Sequence, residues 1–236
     1  MKRDFKIWRG DQNSGKFILY SIEIEDGMVV LDSLHKIQSQ CASDMAVRWN
    51  CKAGKCGSCS MEINGRPKLA CMTRMNEFPS DQTIVIQPLK TFPLIKDLVT
   101  DVSWNYKQNK KIFPFNPGDK NPNKDRIMYQ QDVERIQEFR KCIECYLCQD
   151  VCHVIRDQDR KDKFVGPRFM IRLASLEMHP LDKEDRIPQI KKEHGSGMCN
   201  ITRCCTDVCP ESIQITDNGI IPLKERLVDR FYDPLF

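Results

Sequence analysis

The sequence predicts an α+β protein in which a small mixed α+β domain is followed by an all-α domain. Apolar residues alternate between turn signals in the first part of the chain, which is typical of strands. From about residue 129 they recur at helical spacing instead. A polar, proline-punctuated stretch separates the two patterns. We therefore expect domains at 1–92 and 129–236, joined by a linker at 93–128.

The first domain is predicted from local signals. Residues 5–8 and 17–24 are expected to form strands joined by a polar turn from Gly10 to Gly15. A short helix should begin at Asp32, whose carboxylate suits a helix start. Asn64-Gly65 predicts a tight hairpin, and residues 83–87 a further strand.

The linker and the second domain carry weaker signals. Four prolines punctuate the linker (Pro93, Pro114, Pro117 and Pro122), and we expect a short helix over 94–104. A helix is predicted around Val133, Ile136 and Phe139, and another should open at Pro167. The apolar residues that suit the buried face of that second helix are Met170, Leu173, Ala174 and Leu176.

Composition excludes several classes of protein. The 236 residues include 37 basic and 33 acidic side chains that are interspersed, so no nucleic-acid-binding patch is expected. No apolar run approaches the ~18 residues of a membrane helix, and the first residues lack the apolar region of a secretory signal. Because thirteen cysteines occur without a secretory signal, metal ligation is favoured over disulfides, in a reducing compartment.

The first cysteine group is Cys51, Cys56, Cys59 and Cys71, with the spacing C-x4-C-x2-C followed by a distant cysteine. This is the plant-type spacing for a [2Fe–2S] cluster. The intervening glycines, 54 and 57, allow positive φ and close backbone approach. The alternative is a structural zinc site, which prefers two C-x2-C pairs. Cys41 lies outside the spacing and is expected to be a packing thiol.

A second run, Cys142, Cys145, Cys148 and Cys152, has the bacterial spacing C-x2-C-x2-C-x3-C. In that arrangement the fourth cysteine ligates a different cluster from the first three. A partner group exists in Cys199, Cys205 and Cys209-Pro210, but Thr202 occupies its central ligand position. The spacing therefore predicts a [4Fe–4S] cluster and a three-thiolate [3Fe–4S] cluster. The ligands would be Cys142, Cys145, Cys148 and Cys209 for the former, and Cys152, Cys199 and Cys205 for the latter.

Cys204 leaves an alternative open. It could supply a fourth thiolate and complete a cubane. Because adjacent side chains on a helical turn face different ways, we expect Cys204 to point away from the cluster instead.

The order of these motifs resembles the iron–sulfur subunit of succinate dehydrogenase and fumarate reductase, the respiratory complex II family. Beside the cysteines, the resemblance rests on Arg48-Trp49-Asn50, Asn64-Gly65, Leu69-Ala70, Phe92-Pro93, Gly166-Pro167 and Pro210. It implies a β-grasp plant-type ferredoxin domain followed by a bacterial-type helical ferredoxin domain.

The resemblance also implies partners. A flavoprotein subunit would carry covalent FAD and the dicarboxylate chemistry, and one or two membrane anchor subunits, often with haem b, would complete the complex. Electrons would pass from FAD through the [2Fe–2S], [4Fe–4S] and [3Fe–4S] clusters to a quinone, or in reverse for fumarate reduction. The expected location is the cytoplasmic face of a bacterial inner membrane, which is favoured over the matrix side of a mitochondrial membrane. The absence of a G-x-G-x-x-G fingerprint agrees with dicarboxylate chemistry on another chain.

The chain departs from the family near the predicted quinone. Many quinone-reducing members have Pro and Trp after the cysteine matched by Cys152 and His after the one matched by Cys199; here His153 and Asn200 follow them. His153 has three possible roles: a proton donor to the quinone, a hydrogen-bond donor to a cluster sulfur, or a packing residue. The change is compatible with a menaquinone-linked member.

Two other classes of protein remain as alternatives. A free-standing multi-cluster ferredoxin would carry electrons between soluble enzymes, but such carriers tend to be small and acidic. A structural zinc protein is disfavoured by both spacings. The apolar segment 222–236 suits either docking to a partner or closing the core.

Overall fold

The computed structural model describes residues 1–119 and 125–234, and their contacts form two units. The first unit comprises Met1–Val102 with Ile143–Val151, and the second comprises Ser103–Cys142 with Cys152–Phe236. Pro122 and the last two residues of the apolar C-terminal segment lie outside the described residues. The protein is α+β, as the sequence predicts.

The first unit is built on a five-stranded mixed sheet. Its strand order is β2-β1-β5-β3-β4, with β1 and β5 parallel and the other neighbours antiparallel. The strands are β1 (Lys2–Gly10), β2 (Gly15–Glu23), β3 (Ser60–Ile63), β4 (Arg66–Leu69) and β5 (Ile84–Gln87). The predicted strands and hairpins are thus confirmed, with β1 and β2 longer than expected.

Period-two alternation explains the core of this sheet. Along β1, Arg3, Phe5 and Ile7 are buried while the residues between them are exposed, because successive side chains point to opposite faces. Phe5 pairs with Ile84 on β5, so apolar side chains meet across the strands. Helix α1 (Val30–Gln40) buries apolar side chains at helical spacing, namely Val30, Leu31, Leu34 and Ile37.

The β3–β4 turn positions two of the predicted ligands, Cys59 and Cys71. Asn64 and Gly65 both have positive φ, 50° and 76°, as a two-residue hairpin of this kind requires. The Asn64 side chain also accepts the Val85 N–H at 2.7 Å, which ties the turn to β5.

The prediction of a helix over 94–104 is wrong. The chain forms a small antiparallel hairpin there, β6 (Leu94–Lys96) and β7 (Val99–Thr100), and helix α2 begins only at Ser103. The reason is Asp97, which has a positive φ of 50° and a buried carboxylate. That carboxylate accepts the N–H groups of Gly10 and Ala46 at 2.9 and 2.8 Å. This tertiary requirement outweighs local helix propensity.

The second unit is helical in its described part. Its helices are α2 (Ser103–Lys111), α3 (Gln130–Gln137), α5 (His153–Arg156), α6 (Pro167–Glu177), α7 (Ile187–Lys192), α8 (Cys204–Asp207) and α9 (Ile221–Phe231). Helix α4 (Leu147–Val151) belongs to the first unit. The second unit also has single turns at Glu138–Lys141 and Ser196–Met198 and a π-helical turn at Ile215–Ile220, and the first unit has a single turn at Met75–Glu77.

Helices α6 and α9 show how the second core forms. Pro167 opens α6 as predicted, and all four apolar residues expected on its buried face are buried. Helix α9 buries Leu223 and Leu227 while Val228 is about half exposed. The apolar C-terminal segment therefore closes the core along one face and exposes apolar side chains along another.

In the described part of the chain, every helix is too short or too polar to span a lipid bilayer.

Replacement of Asp97 tests the structure of the first unit. Asp97→Ala would strand two N–H donors and remove an ion pair in which Arg9 Nε lies 3.0 Å from the carboxylate. We expect the free energy of unfolding to fall by about 3 kcal/mol, measured by urea unfolding with circular dichroism. Asp44→Ala is the control, since Asp44 pairs with the same Arg9 but has a 71% exposed side chain. If the two variants lower the free energy of unfolding equally, the Asp97 carboxylate does not have this structural role.

Candidate iron–sulfur sites

The β3–β4 hairpin brings the ends of the first cysteine group together. Cys59 immediately precedes β3 and Cys71 follows β4, so pairing of Ser60 with Leu69 places both beside the same strand ends. The Cys71 N–H donates to the Cys59 Sγ at 3.4 Å, and both residues are buried.

The other two thiols lie in the loop before β3. The N–H groups of Ala53 and Lys55 donate to the Cys51 Sγ, each at 3.3 Å, and the Cys51 N–H donates to the Cys56 Sγ at 3.5 Å. The loop can aim these donors because Lys52, Gly54 and Gly57 have positive φ, of 55°, 67° and 68°. The positive φ expected at both glycines is confirmed.

The environment separates the acidities of these thiols. Burial alone would raise the pKa of Cys56, but hydrogen bonds from Ser58 and Cys51 outweigh it and lower the pKa to about 6. Burial raises the pKa of Cys59 to about 12, assisted by Cys71 and Cys56. The donors stabilise negative charge on sulfur, and thiolates are the form that binds iron, so the residues present fit a [2Fe–2S] cluster.

The second cysteine run is divided between the units. Cys145 and Cys148 are buried in the first unit, whereas Cys142 and Cys209 belong to the second. Between the cysteines the chain takes positive φ at Glu144 and Tyr146, 56° and 61°, so it forms a loop rather than a helix until α4 begins.

The first unit packs this run directly against the first cysteine loop. A Cβ placed on Gly57 would lie 2.6 Å from the Cys145 Cα, so the two backbones are in contact. The Thr91 N–H donates to the Asp150 carboxylate at 3.0 Å, and the ring of Phe92 meets Tyr146 edge to face. Nothing in the spacing of the motifs predicted this contact.

The third group lies within the second unit. Burial, assisted by the charges of Cys204 and Cys199, raises the pKa of Cys152 to about 11 and that of Cys205 to about 12. The four thiols are thus close enough to interact electrostatically. The Cys205 Sγ also lies 3.5 Å from the Thr216 hydroxyl, which can donate to a thiolate. These residues fit a cluster held by three or four thiolates.

Two features shape the loop of this third group. Ile201 and Arg203 have positive φ, 62° and 65°, on either side of Thr202. The Thr202 hydroxyl lies 3.3 Å from the Cys204 Sγ, so that thiol approaches the residue at the vacant ligand position. Lys224 on α9 donates to the Cys199 carbonyl at 2.7 Å and fixes the other end of the loop.

The remaining candidates have simpler environments. His153 is the first residue of α5, and its Nε2 is buried without a hydrogen-bond partner. Cys41 directly follows α1 and is exposed, rather than buried as a packing thiol would be. The thirteen cysteines all lie in the described residues, where none forms a disulfide. Within those residues no three Cys, His, Asp or Glu side chains are arranged to hold a single metal ion.

Family models match both parts of the chain. A 2Fe-2S iron–sulfur cluster binding domain matches residues 4–107, and a 4Fe-4S dicluster domain matches residues 138–213. With the thiol loops described above, they define an iron–sulfur protein that carries more than one cluster.

Whole-chain relatives identify the family. The chain is 30% identical to the succinate dehydrogenase iron–sulfur subunit of Coxiella burnetii, over 79% of each protein. A chain of the Mycobacterium smegmatis Sdh1 complex in the apo form is 56% identical and superposes with a TM-score of 0.96, covering 100% of this chain and 99% of that one. The chain belongs to the iron–sulfur subunits of succinate dehydrogenase and fumarate reductase, as its motifs predicted.

Some relatives are longer. The chain is 31% identical to an uncharacterized iron–sulfur protein of Methanococcus maripaludis across 89% of its own length. It spans only 42% of the length of that protein.

Replacement of Gly57 tests the contact between the two cysteine segments. Gly57→Ala should lower the free energy of unfolding by at least about 2 kcal/mol, since it adds a backbone clash with Cys145 to the cost of positive φ. It should also reduce the iron bound per chain, measured by metal analysis and visible absorption.

Gly65→Ala is the matched control. Its φ is 76°, but a Cβ there would meet nothing within 4 Å. We expect only the conformational cost, about 1 kcal/mol, with full iron content. If both variants lose the same stability and iron, the close contact at Gly57 is not important.

Proposed function

We propose that the chain is the electron-transfer subunit of a membrane-bound succinate:quinone oxidoreductase. The observation that carries this proposal is the match along its whole length to a chain of the Sdh1 complex. A free-standing ferredoxin carrier is disfavoured by the same match. A quinol:fumarate reductase that runs in the opposite direction is the second candidate, because fumarate reductase subunits are also relatives, at 28% identity in Mycobacterium tuberculosis.

We assign the ligands from the cysteine spacing. The [2Fe–2S] cluster takes Cys51, Cys56, Cys59 and Cys71; the [4Fe–4S] cluster takes Cys142, Cys145, Cys148 and Cys209; the [3Fe–4S] cluster takes Cys152, Cys199 and Cys205. The N–H donors at the first group support the first of these sets. In the third group, Cys152 and Cys205 interact electrostatically with Cys199 and with Cys204, so the choice of three ligands there depends on the spacing. We also propose a β-grasp fold for 1–92, a linker at 93–128, and a bacterial-type helical ferredoxin fold for 129–236.

When bound, the clusters supply one-electron carriers between the FAD of a flavoprotein subunit and a quinone at a membrane anchor. The chain itself holds the thiolates, donates hydrogen bonds to their sulfurs and keeps most of them from water. We place it on the cytoplasmic face of a bacterial inner membrane, with haem b, where present, in the anchor. Substrate chemistry belongs to the flavoprotein.

His153 is proposed as a donor close to the quinone or to a cluster sulfur. Its Nε2 is buried and has no hydrogen-bond partner, which is costly unless another group accepts from it. Because it directly follows Cys152, that acceptor would lie beside the three-thiolate site.

Low-temperature EPR of the anaerobically purified full chain tests the cluster assignment. Oxidised [3Fe–4S] is paramagnetic, whereas oxidised [2Fe–2S] and [4Fe–4S] are silent. We expect a nearly stoichiometric signal from the oxidised protein, and a [2Fe–2S] signal after reduction with dithionite.

Cys204→Ser is the companion variant. If the oxidised protein is silent and the variant gains the signal, Cys204 is a fourth ligand and the [3Fe–4S] assignment is wrong. A colourless protein that contains zinc instead of iron would overturn the proposed function itself. Co-purification with a covalent flavoprotein in a membrane fraction separates the complex subunit from a free carrier.

A further inference from the structure

A cavity of about 320 Å³ lies in the first unit at a place that the cluster assignments do not use. It is formed by the start of β1, the turn that follows β2, and the chain around the single turn at Met75–Glu77. No cysteine lines it. Its size is at the lower end of the range for small-molecule sites.

The unusual feature of this cavity is Arg3. Strand alternation places Arg3 on the same buried face of β1 as Phe5 and Ile7, and the residue is only 3% exposed. Its Nη1 and Nη2 both donate to the Phe78 carbonyl at 3.4 Å, while its Nε is buried and has no hydrogen-bond partner. Among the described residues, no carboxylate pairs with Arg3. A buried guanidinium without a counter-charge is costly, so the site favours an anion.

The rest of the wall agrees with this charge requirement. Arg74 supplies a second guanidinium, and Asn76 and Ser80 supply neutral groups that can donate hydrogen bonds. Of the two acidic wall residues, Glu25 already pairs with Lys36 at 3.2 Å. Asp26 is the other acidic wall residue, and Glu77, outside the wall, also interacts with Arg74. Arg3, Arg74 and the Met1 ammonium are the cationic groups of the wall.

We propose that this cavity binds a small oxyanion, either phosphate or a dicarboxylate, through the guanidinium groups of Arg3 and Arg74. Both anions present paired oxygens that match the planar fork of a guanidinium. Open space lies beside Gly27 in the wall, where a Cβ would meet nothing within 4 Å. The site does not depend on the clusters or on the electron-transfer function.

Isothermal titration calorimetry on the full, cluster-loaded chain tests the proposal. Inorganic phosphate and succinate are titrated separately, in a chloride-free buffer without oxyanions. We expect saturable binding of at least one of them, and the relative affinities identify which source of oxyanion the cavity prefers. Arg74→Gln should weaken that binding by about tenfold, the loss expected for one charge-assisted pair.

Two further variants make the test specific. Asp26→Asn should strengthen binding, because it removes the carboxylate that repels the anion. Lys16→Gln changes the net charge as Arg74→Gln does, but Lys16 is exposed on β2 and does not line the cavity. The Lys16→Gln variant should therefore bind the anion with the same affinity as the wild type. All three replace exposed side chains, which avoids the risk that an Arg3 variant fails to fold.

The proposal is overturned if neither anion binds saturably, or if Arg74→Gln and Lys16→Gln weaken binding equally. The second result would mean that net charge, rather than a built cavity, attracts the anion. Weaker binding by Asp26→Asn would also contradict it.

Discussion

Positive φ in the cysteine loops is the constraint on which the candidate sites depend. Each loop must turn its backbone toward its own thiols within a few residues, and a continuous helix or strand cannot do so. In the loops that join closely spaced cysteines, the non-glycine residues that take this conformation are Lys52, Glu144, Tyr146, Ile201 and Arg203. Each costs on the order of 1–2 kcal/mol, and for β-branched Ile201 such a conformation is a genuine outlier. The surrounding contacts must therefore stabilise these loops, which is typical of functional sites.

Charge on sulfur is the second requirement. Burial is the largest cause that raises the pKa of Cys59, Cys152 and Cys205, so these thiols resist ionisation until a cation binds. Hydrogen bonds work in the opposite direction at Cys56. Iron binding would release protons from the buried thiols and stabilise the fold at the same time, so cluster loading and folding are coupled.

The sequence predicts the parts of this architecture that depend on local chemistry. Cysteine spacing predicts the thiol groups, and Asn64-Gly65 predicts the hairpin that brings Cys59 and Cys71 together. The prediction from the sequence failed at 94–104. There the buried Asp97 carboxylate determines a turn, because it accepts N–H groups from residues distant in the chain.

Other features of the sites have no sequence signal. A side chain such as Ile201 gives no indication of positive φ, and the contact between Gly57 and Cys145 joins segments far apart in the chain. The exposure of Cys41 corrects the expectation that it packs in the core. The placement of Cys204 near Cys152 and Cys205 likewise depends on how the loop folds. Such features depend on tertiary contacts, and the spacing of apolar residues along the sequence does not predict them.

The central claim is that neighbouring cysteine segments hold successive electron carriers. Microwave power saturation of the [2Fe–2S] EPR signal tests it most directly, with the second cluster either oxidised or reduced. Because Gly57 and Cys145 are in backbone contact, we predict that reduction of the second cluster makes it paramagnetic and speeds relaxation of the [2Fe–2S] signal. A saturation curve that is the same in both states would contradict the account.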